Sequence, residues 1–171
     1  QESYSIDFYS NDYIGLAKNI VVREKAHTIL QSYPLQNGST GSRLLSGNYP
    51  LIRKAESCLA TFHAGEKGLL FNSGYDANVG IFSSIPQKGD VVLYDQYIHA
   101  SIRDGLQLNK AQNFKFKHNS LSDLQEKLQR FAATATTLYI ATESVFSMDG
   151  DTPDLLAMVA LAKQYNAYII I

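Results

Sequence analysis

Three apolar runs of the chain end in groups able to bind an anion, stack on a flat ring or handle a proton. One run leads into Asn72-Ser73-Gly74-Tyr75, the next ends in Asp95 with His99 four residues on, and a later one ends in Glu143 with Ser147, Asp149 and Asp151 close behind. A helical pattern follows each set. In an open α/β sheet, strand ends and helix starts gather on one edge, where free helix N–H groups bind anions and ligands sit in the crevice. An anion cradle at Ser73, Gly74 and Tyr75 beside the imidazole of His99 suits a planar, phosphorylated ligand. Each group also has a plainer reading: Gly74 as a tight turn, His99 as a helix cap, Glu143 and Asp149 as solvated loop acids.

Other chemistries fit these residues less well. Ser73, His99 and Asp95 could be drawn into a nucleophilic triad, but no Gly-x-Ser-x-Gly elbow presents the serine. A Rossmann dinucleotide site needs Gly-x-Gly-x-x-Gly after a strand, and residues 71–78 lack it. The 4 histidines are scattered, with no two at ligand spacing on one helix, which does not point to a metal.

The elements that must position these residues alternate. Strands are expected over 68–71, 91–94, 114–117, 137–142 and 167–171, and helices over 75–84, 100–108, 122–131 and 155–165. Such alternation predicts a parallel sheet with helices on both faces. Ser120 or Ser122 is a natural N-cap for the third of these helices, with Asp123 and Glu126 in its first turns.

The first third of the chain reads differently. Residues 5–9 suggest an edge strand, and Gly15 suits a turn with positive φ. Asn19 can cap a helix over 20–32, which Pro34 bars from continuing. From Asn37 to Asn48 the chain is rich in glycine and hydroxyls, broken by Arg43-Leu44-Leu45, which predicts a polar loop anchored at those three residues. No lysine follows as a P-loop requires. Pro50 opens a second helix, in which Leu51, Ala55, Cys58, Leu59 and Phe62 share one face and are expected in a core. His63 falls at its C-terminus, where a histidine complements the helix dipole on the surface.

Composition narrows the class. A formal net charge of −1 over 171 residues argues against a nucleic-acid or polyanion binder. A single cysteine, Cys58, cannot form an internal disulfide and reads as a small buried residue. No apolar run reaches membrane-spanning length, so the expected setting is the cytoplasm. The chain begins with Gln1 and stops within Tyr168-Ile169-Ile170-Ile171, which suggests a piece of a longer polypeptide.

Five segments, in order, carry a family resemblance: residues 10–16, 38–47, 71–78, His99-Ala100-Ser101, and 142–150. Together they resemble the α-oxoamine synthases, pyridoxal-phosphate acyltransferases of the fold-type-I aminotransferase class. The resemblance implies a three-layer α/β/α fold with a mostly parallel sheet, present incompletely. Residues 1–48 would form an N-terminal arm, helix and loop, and 49–171 the first part of the cofactor-binding large domain. It implies that backbone N–H groups of Ser73, Gly74 and Tyr75 hold the phosphate of pyridoxal 5'-phosphate and that His99 stacks on its ring. Ser147 would hydrogen-bond the cofactor's phenolic oxygen with Glu143 in support, and Asn11 would reach the bound amino acid. His99, Glu143 and Asn11 are thus the candidate catalytic residues. In the family an amino acid condenses with an acyl-CoA, CoA and CO2 leave, and the site lies at a homodimer interface. The family's cofactor-binding lysine and its ring-nitrogen aspartate correspond to positions beyond Ile171, so this chain alone is expected to be inactive. The expected strand at 68–71 would also lack its neighbours.

Overall fold

A computed structural model describes residues 9–33 and 38–171 of the chain. The strand expected over 5–9, apart from Tyr9, and the positions of Pro34 and Asn37 lie outside the described residues. The chain divides into two compact units, Gln1–Leu70 and Phe71–Ile171. Residue 48, where the sequence suggested a boundary, lies in the first, just ahead of its second helix.

The second unit is the sheet. After α3 (Gly74–Ser84) come β1 (Val91–Asp95), α4 (Ala100–Leu108), β2 (Gln112–Phe116), α5 (Leu121–Phe131), β3 (Leu138–Ala141), α6 (Leu155–Gln164) and β4 (Ala167–Ile170). The strands lie in the order β2-β1-β3-β4, and every pairing is parallel. Central β1 is apolar on both faces, as a covered parallel strand must be. Val91 and Leu93 join Phe116, Leu138 and Ile140 against Leu124, Leu128 and Phe131 of α5 and Met158 of α6. Val92, with Ala141, faces Phe82 of α3 and Ile102 and Leu106 of α4. The three-layer arrangement therefore stands, with a helix pair on each face. Serine or aspartate side chains cap three of these helices: Ser73 accepts from the Asp76 amide, Ser120 from Asp123 and Asp154 from Ala157. Each such cap contributes about 1 kcal/mol.

Helices α3 and α4 pack closely because Gly105 has no side chain. A Cβ there would lie 2.8 Å from Cβ of Phe82 and 3.1 Å from the carbonyl oxygen of Asn78. Backbone cannot yield as a side-chain tip can, so Gly105→Ala is expected to destabilise the unit by about 1–3 kcal/mol, the usual cost of overpacking. Urea denaturation should show the midpoint fall with an unchanged slope.

The first unit holds a 3-10 turn (Leu16–Lys18), α1 (Ile20–Gln31) and α2 (Pro50–Phe62). Gly15 has φ +67°, and Asn19 caps α1 by accepting from the amides of Val21 and Val22. His63 follows α2 at its C-terminus and is exposed. The polar loop is anchored by Arg43 alone of its three candidates: its guanidinium binds Glu56 through two contacts of 2.6 and 3.0 Å and Asn48 at 3.1 Å. This hydrogen bonding holds the Glu56 carboxyl below its ordinary range. Leu44 and Leu45 are exposed.

Three expectations fail at α2 and the segment that follows it. The face of α2 is not core: the helix has no buried residue, and Phe62 is 82% exposed. An apolar stripe is buried only when another layer covers it, and the described residues of the first unit form no sheet. Cys58, on that helix, is exposed for the same reason. Residues 68–71 form no strand. Strand structure needs a ladder partner, whereas here the Leu70 amide donates to Glu56 at 2.8 Å.

Candidate active site

The sheet brings the carboxyl ends of β1, β2 and β3 to one edge, and the loops that follow them carry most of the predicted residues. His99, Glu143, Ser147 and Asp149 line one cavity of about 460 Å³, with Tyr97, Arg103 and Met148. That volume falls within the ~300–1,000 Å³ of small-molecule sites.

His99 is the N-cap of α4, so its plainer reading as a cap is also correct. The cap fixes its chemistry. The backbone N–H of Ser101 donates to Nδ1 at 3.2 Å, and a backbone amide can only donate. Nδ1 is therefore an acceptor, and in the neutral ring the proton sits on Nε2. The buried Ser101 hydroxyl also bonds Nδ1, at 2.7 Å, and accepts from the side-chain amide of Asn78 in α3 at 2.9 Å. A chain of three residues thus fixes ring and tautomer together. On the other side, Glu143 accepts the backbone N–H of His99 at 2.6 Å, tying the end of β3 to the start of α4.

At α3 the amides of Gly74 and Tyr75 have no acceptor within the helix, because the first turn never supplies one. Ser73 accepts the Asp76 amide at 3.0 Å, which leaves its own O–H available to donate. A Cβ on Gly74 would meet nothing within 4 Å, so the cradle is open. The Tyr75 phenol donates to Asp104 in α4, and this bond raises its pKa and keeps it protonated. The Tyr75 ring stands edge-on to His99 at 6.3 Å between centroids. Cradle and ring plate are therefore neighbours. The Thr142 hydroxyl, at the end of β3, is buried without a hydrogen-bond partner, a state that a bound ligand or water relieves. An acceptor-seeking helix start and a locked imidazole beside it fit a planar anionic group such as pyridoxal phosphate.

Other candidates lie elsewhere. Asn11 belongs to the first unit, exposed, with its Oδ1 3.4 Å from the Tyr13 hydroxyl. The Ser73–His99–Asp95 triad does not exist: His99 Nδ1 is taken by Ser101, and Asp95 is engaged by His118. His118 is the residue that sequence reasoning missed. It follows β2 at the same edge, between Asp95 at 2.9 Å and Asp151 at 2.8 Å. The rule that singled out the other strand ends applies equally to Lys117-His118-Asn119.

Comparison with known proteins identifies the family and the fold. Residues 4–171 match the family described as aminotransferase class I and II. A putative 8-amino-7-oxononanoate synthase of Bacillus licheniformis is 48% identical over 162 residues, covering 95% of this chain and 42% of that protein. A serine palmitoyltransferase of Sphingomonas wittichii superposes with a TM-score of 0.82 at 38% identity, over 92% of this chain and 39% of that one. The 8-amino-7-oxononanoate synthase of Francisella tularensis gives 0.70 at 29% identity, over 91% and 42%. The chain spans about two-fifths of the length of these relatives.

Proposed function

The chain belongs to the class I and II aminotransferase family, and from that premise we propose that its protein is a pyridoxal-phosphate-dependent C-acyltransferase joining an amino acid to an acyl-CoA. The specific activity proposed is that of an 8-amino-7-oxononanoate synthase, in biotin biosynthesis. The observation that carries the proposal is the locked His99 beside the open start of α3, in a chain 48% identical to a relative so named.

Bound pyridoxal phosphate supplies an electron sink for negative charge at an amino acid's α-carbon. The residues here bind and orient. The amides of Gly74 and Tyr75, with the Ser73 hydroxyl, hold the phosphate. His99 presents its ring as a plate and keeps a proton on Nε2. Glu143 fixes the backbone beneath that plate, and Ser147 offers a hydroxyl to the cofactor's phenolic oxygen. Asn11 is assigned to the amino-acid substrate. The proposal concerns the whole protein, as a cytoplasmic homodimer. The 171-residue chain by itself is expected to be inactive, since the resemblance places the lysine that holds the cofactor outside it.

A second reading is favoured by the TM-score of 0.82 to a serine palmitoyltransferase, and a glycine C-acetyltransferase is the remaining branch. The test is CoA release by the whole protein with three pairs: pimeloyl-CoA with alanine, palmitoyl-CoA with serine, and acetyl-CoA with glycine. The first pair is expected to react at least ten times faster than the others. A preference for another pair would move the protein to that branch. No CoA release from any pair would contradict the acyltransferase reading.

A further inference from the structure

His118 touches both ends of one turn of the cavity wall. In the segment 142–154, the Phe146 amide donates to the Asp151 carbonyl at 3.0 Å, and the Gly150 amide returns to the Phe146 carbonyl at 2.7 Å. Gly150 allows this closure with φ +72°. The turn so formed carries Ser147, Met148 and Asp149 on the cavity wall. Its first end, the buried Phe146, meets the His118 ring edge-on at 4.5 Å. Its second end, Asp151, bonds His118 Nε2 at 2.8 Å and the Asn119 side-chain amide at 2.8 Å. Tyr97, another wall residue, stacks on His118 at 4.4 Å. The opposite nitrogen is fixed to the sheet, because Asp95 is fully buried at the end of β1. Asp95 also accepts the amides of Tyr97 at 2.8 Å and Asn119 at 2.9 Å.

We infer that His118 is a positioning residue: as a doubly donating imidazolium bridging Asp95 to Asp151, it clamps the 146–151 turn to the sheet and holds Ser147 at the cavity. The inference rests on the functional reading only for what Ser147 does. The Asn119 amide nitrogen also lies 3.2 Å from Nε2, but the Asp151 carboxylate is nearer to both, at 2.8 Å, and is the acceptor they share. A neutral imidazole has one N–H and cannot donate to two carboxylates, so a ring protonated on both nitrogens satisfies the bridge. Burial is the strongest single influence on His118 and pulls its pKa down. Hydrogen bonds to Asp95 and Asp151, and their charges, outweigh it, and the net shift is upward. The titratable groups facing the ring are Asp95 from β1, Tyr97 from the loop after it and Asp151 from the turn itself. A raised histidine pKa means the clamp is complete below ~6.5, the ordinary value, and weakens as pH rises through the folded-state value.

The test is amide hydrogen exchange across 142–154 in the whole protein, with pyridoxal phosphate affinity measured alongside. Asp151→Asn removes only the negative charge on the turn side of the bridge and leaves one neutral acceptor oxygen there. His118→Phe keeps the aromatic stack but strands Asp95. Protection factors of the 146–151 turn are expected to fall at least tenfold in Asp151→Asn, with those of β1 and β3 unchanged and the cofactor Kd raised severalfold. In the unsubstituted protein, turn protection should fall as pH rises through the His118 titration, and Asp151→Asn should abolish that dependence. Unchanged, pH-independent turn protection would overturn the inference, as would lost protection with unchanged cofactor affinity. A failure of the unsubstituted protein to bind the cofactor would count against the functional reading, while the protection factors still decide the clamp.

Discussion

Replacing His99 with alanine is expected to weaken pyridoxal phosphate binding by about 10- to 100-fold, whereas His99→Phe should stay within about threefold of the unsubstituted protein. The two substitutions separate the two properties the structure gives this residue. As a plate, the ring contributes stacking of about 0.5–1.5 kcal/mol beyond the area it covers. With that area included, the loss reaches one to two factors of ten at 1.4 kcal/mol each. Phenylalanine restores the plate but carries no proton. It also leaves the Ser101 amide and hydroxyl without the Nδ1 acceptor they share. Turnover in His99→Phe is therefore expected to fall at least 100-fold despite near-normal binding, the size of effect a positioned proton donor supplies. Absorbance titration gives the affinity and CoA release gives the rate. Equal losses of binding in the two variants would show that His99 is no plate.

The largest effect on stability is expected at Asp95. Its carboxylate is fully buried and accepts from His118, Tyr97 and Asn119. Asp95→Ala removes one partner of a buried charged pair and leaves the Tyr97 and Asn119 amides without their acceptor. Such losses cost about 3–5 kcal/mol, a large share of the ~5–15 kcal/mol that holds a domain together. Asp95→Asn keeps one acceptor oxygen and should cost less. The pH dependence has a definite sign. Because His118 is raised, the bridge contributes most below ~6.5 and less as pH rises through its folded-state value. The penalty of Asp95→Ala should thus be greater at pH 6 than at pH 8, and urea denaturation at the two values measures it. A penalty independent of pH would contradict a charged bridge.

Much of this architecture is legible in residue patterns, because a covered parallel sheet has a strong signature. The run Val91-Val92-Leu93 is apolar on both faces, and the helix expected over 100–108 is the one found. β2 starts two residues earlier than its apolar pattern suggests, at Gln112 and Asn113. Asn113 is in the strand because its amide bonds the Leu106 carbonyl at 2.9 Å and Asn109 at 3.0 Å, a tertiary network that periodicity does not show. The segment 68–71 and the face of α2 fail for a related reason. Both are apolar enough for a strand and a core, but a strand also needs a ladder and a core needs a second layer. Of the site, His99, Glu143 and Ser147 could be placed at one edge from topology alone. The tautomer of His99 could not, since it depends on Ser101 and Asn78 meeting across two helices. His118 was open to the same strand-end reasoning, but its two acids come from distant segments, Asp95 at the end of β1 and Asp151 in the turn after β3, whose convergence only the fold supplies.

In the proposed function the start of α3 and the ring of His99 together hold pyridoxal phosphate, and this pairing is open to direct measurement. Its most direct measurement is amide and imidazole NMR on the whole protein, titrated with pyridoxal phosphate and, separately, with pyridoxal lacking the phosphate. Saturable shifts are expected at the Gly74 and Tyr75 amides and at the His99 ring with pyridoxal phosphate, and binding at least tenfold weaker without the phosphate. Shifts confined to other residues, or equal affinity for the two compounds, would contradict the claim.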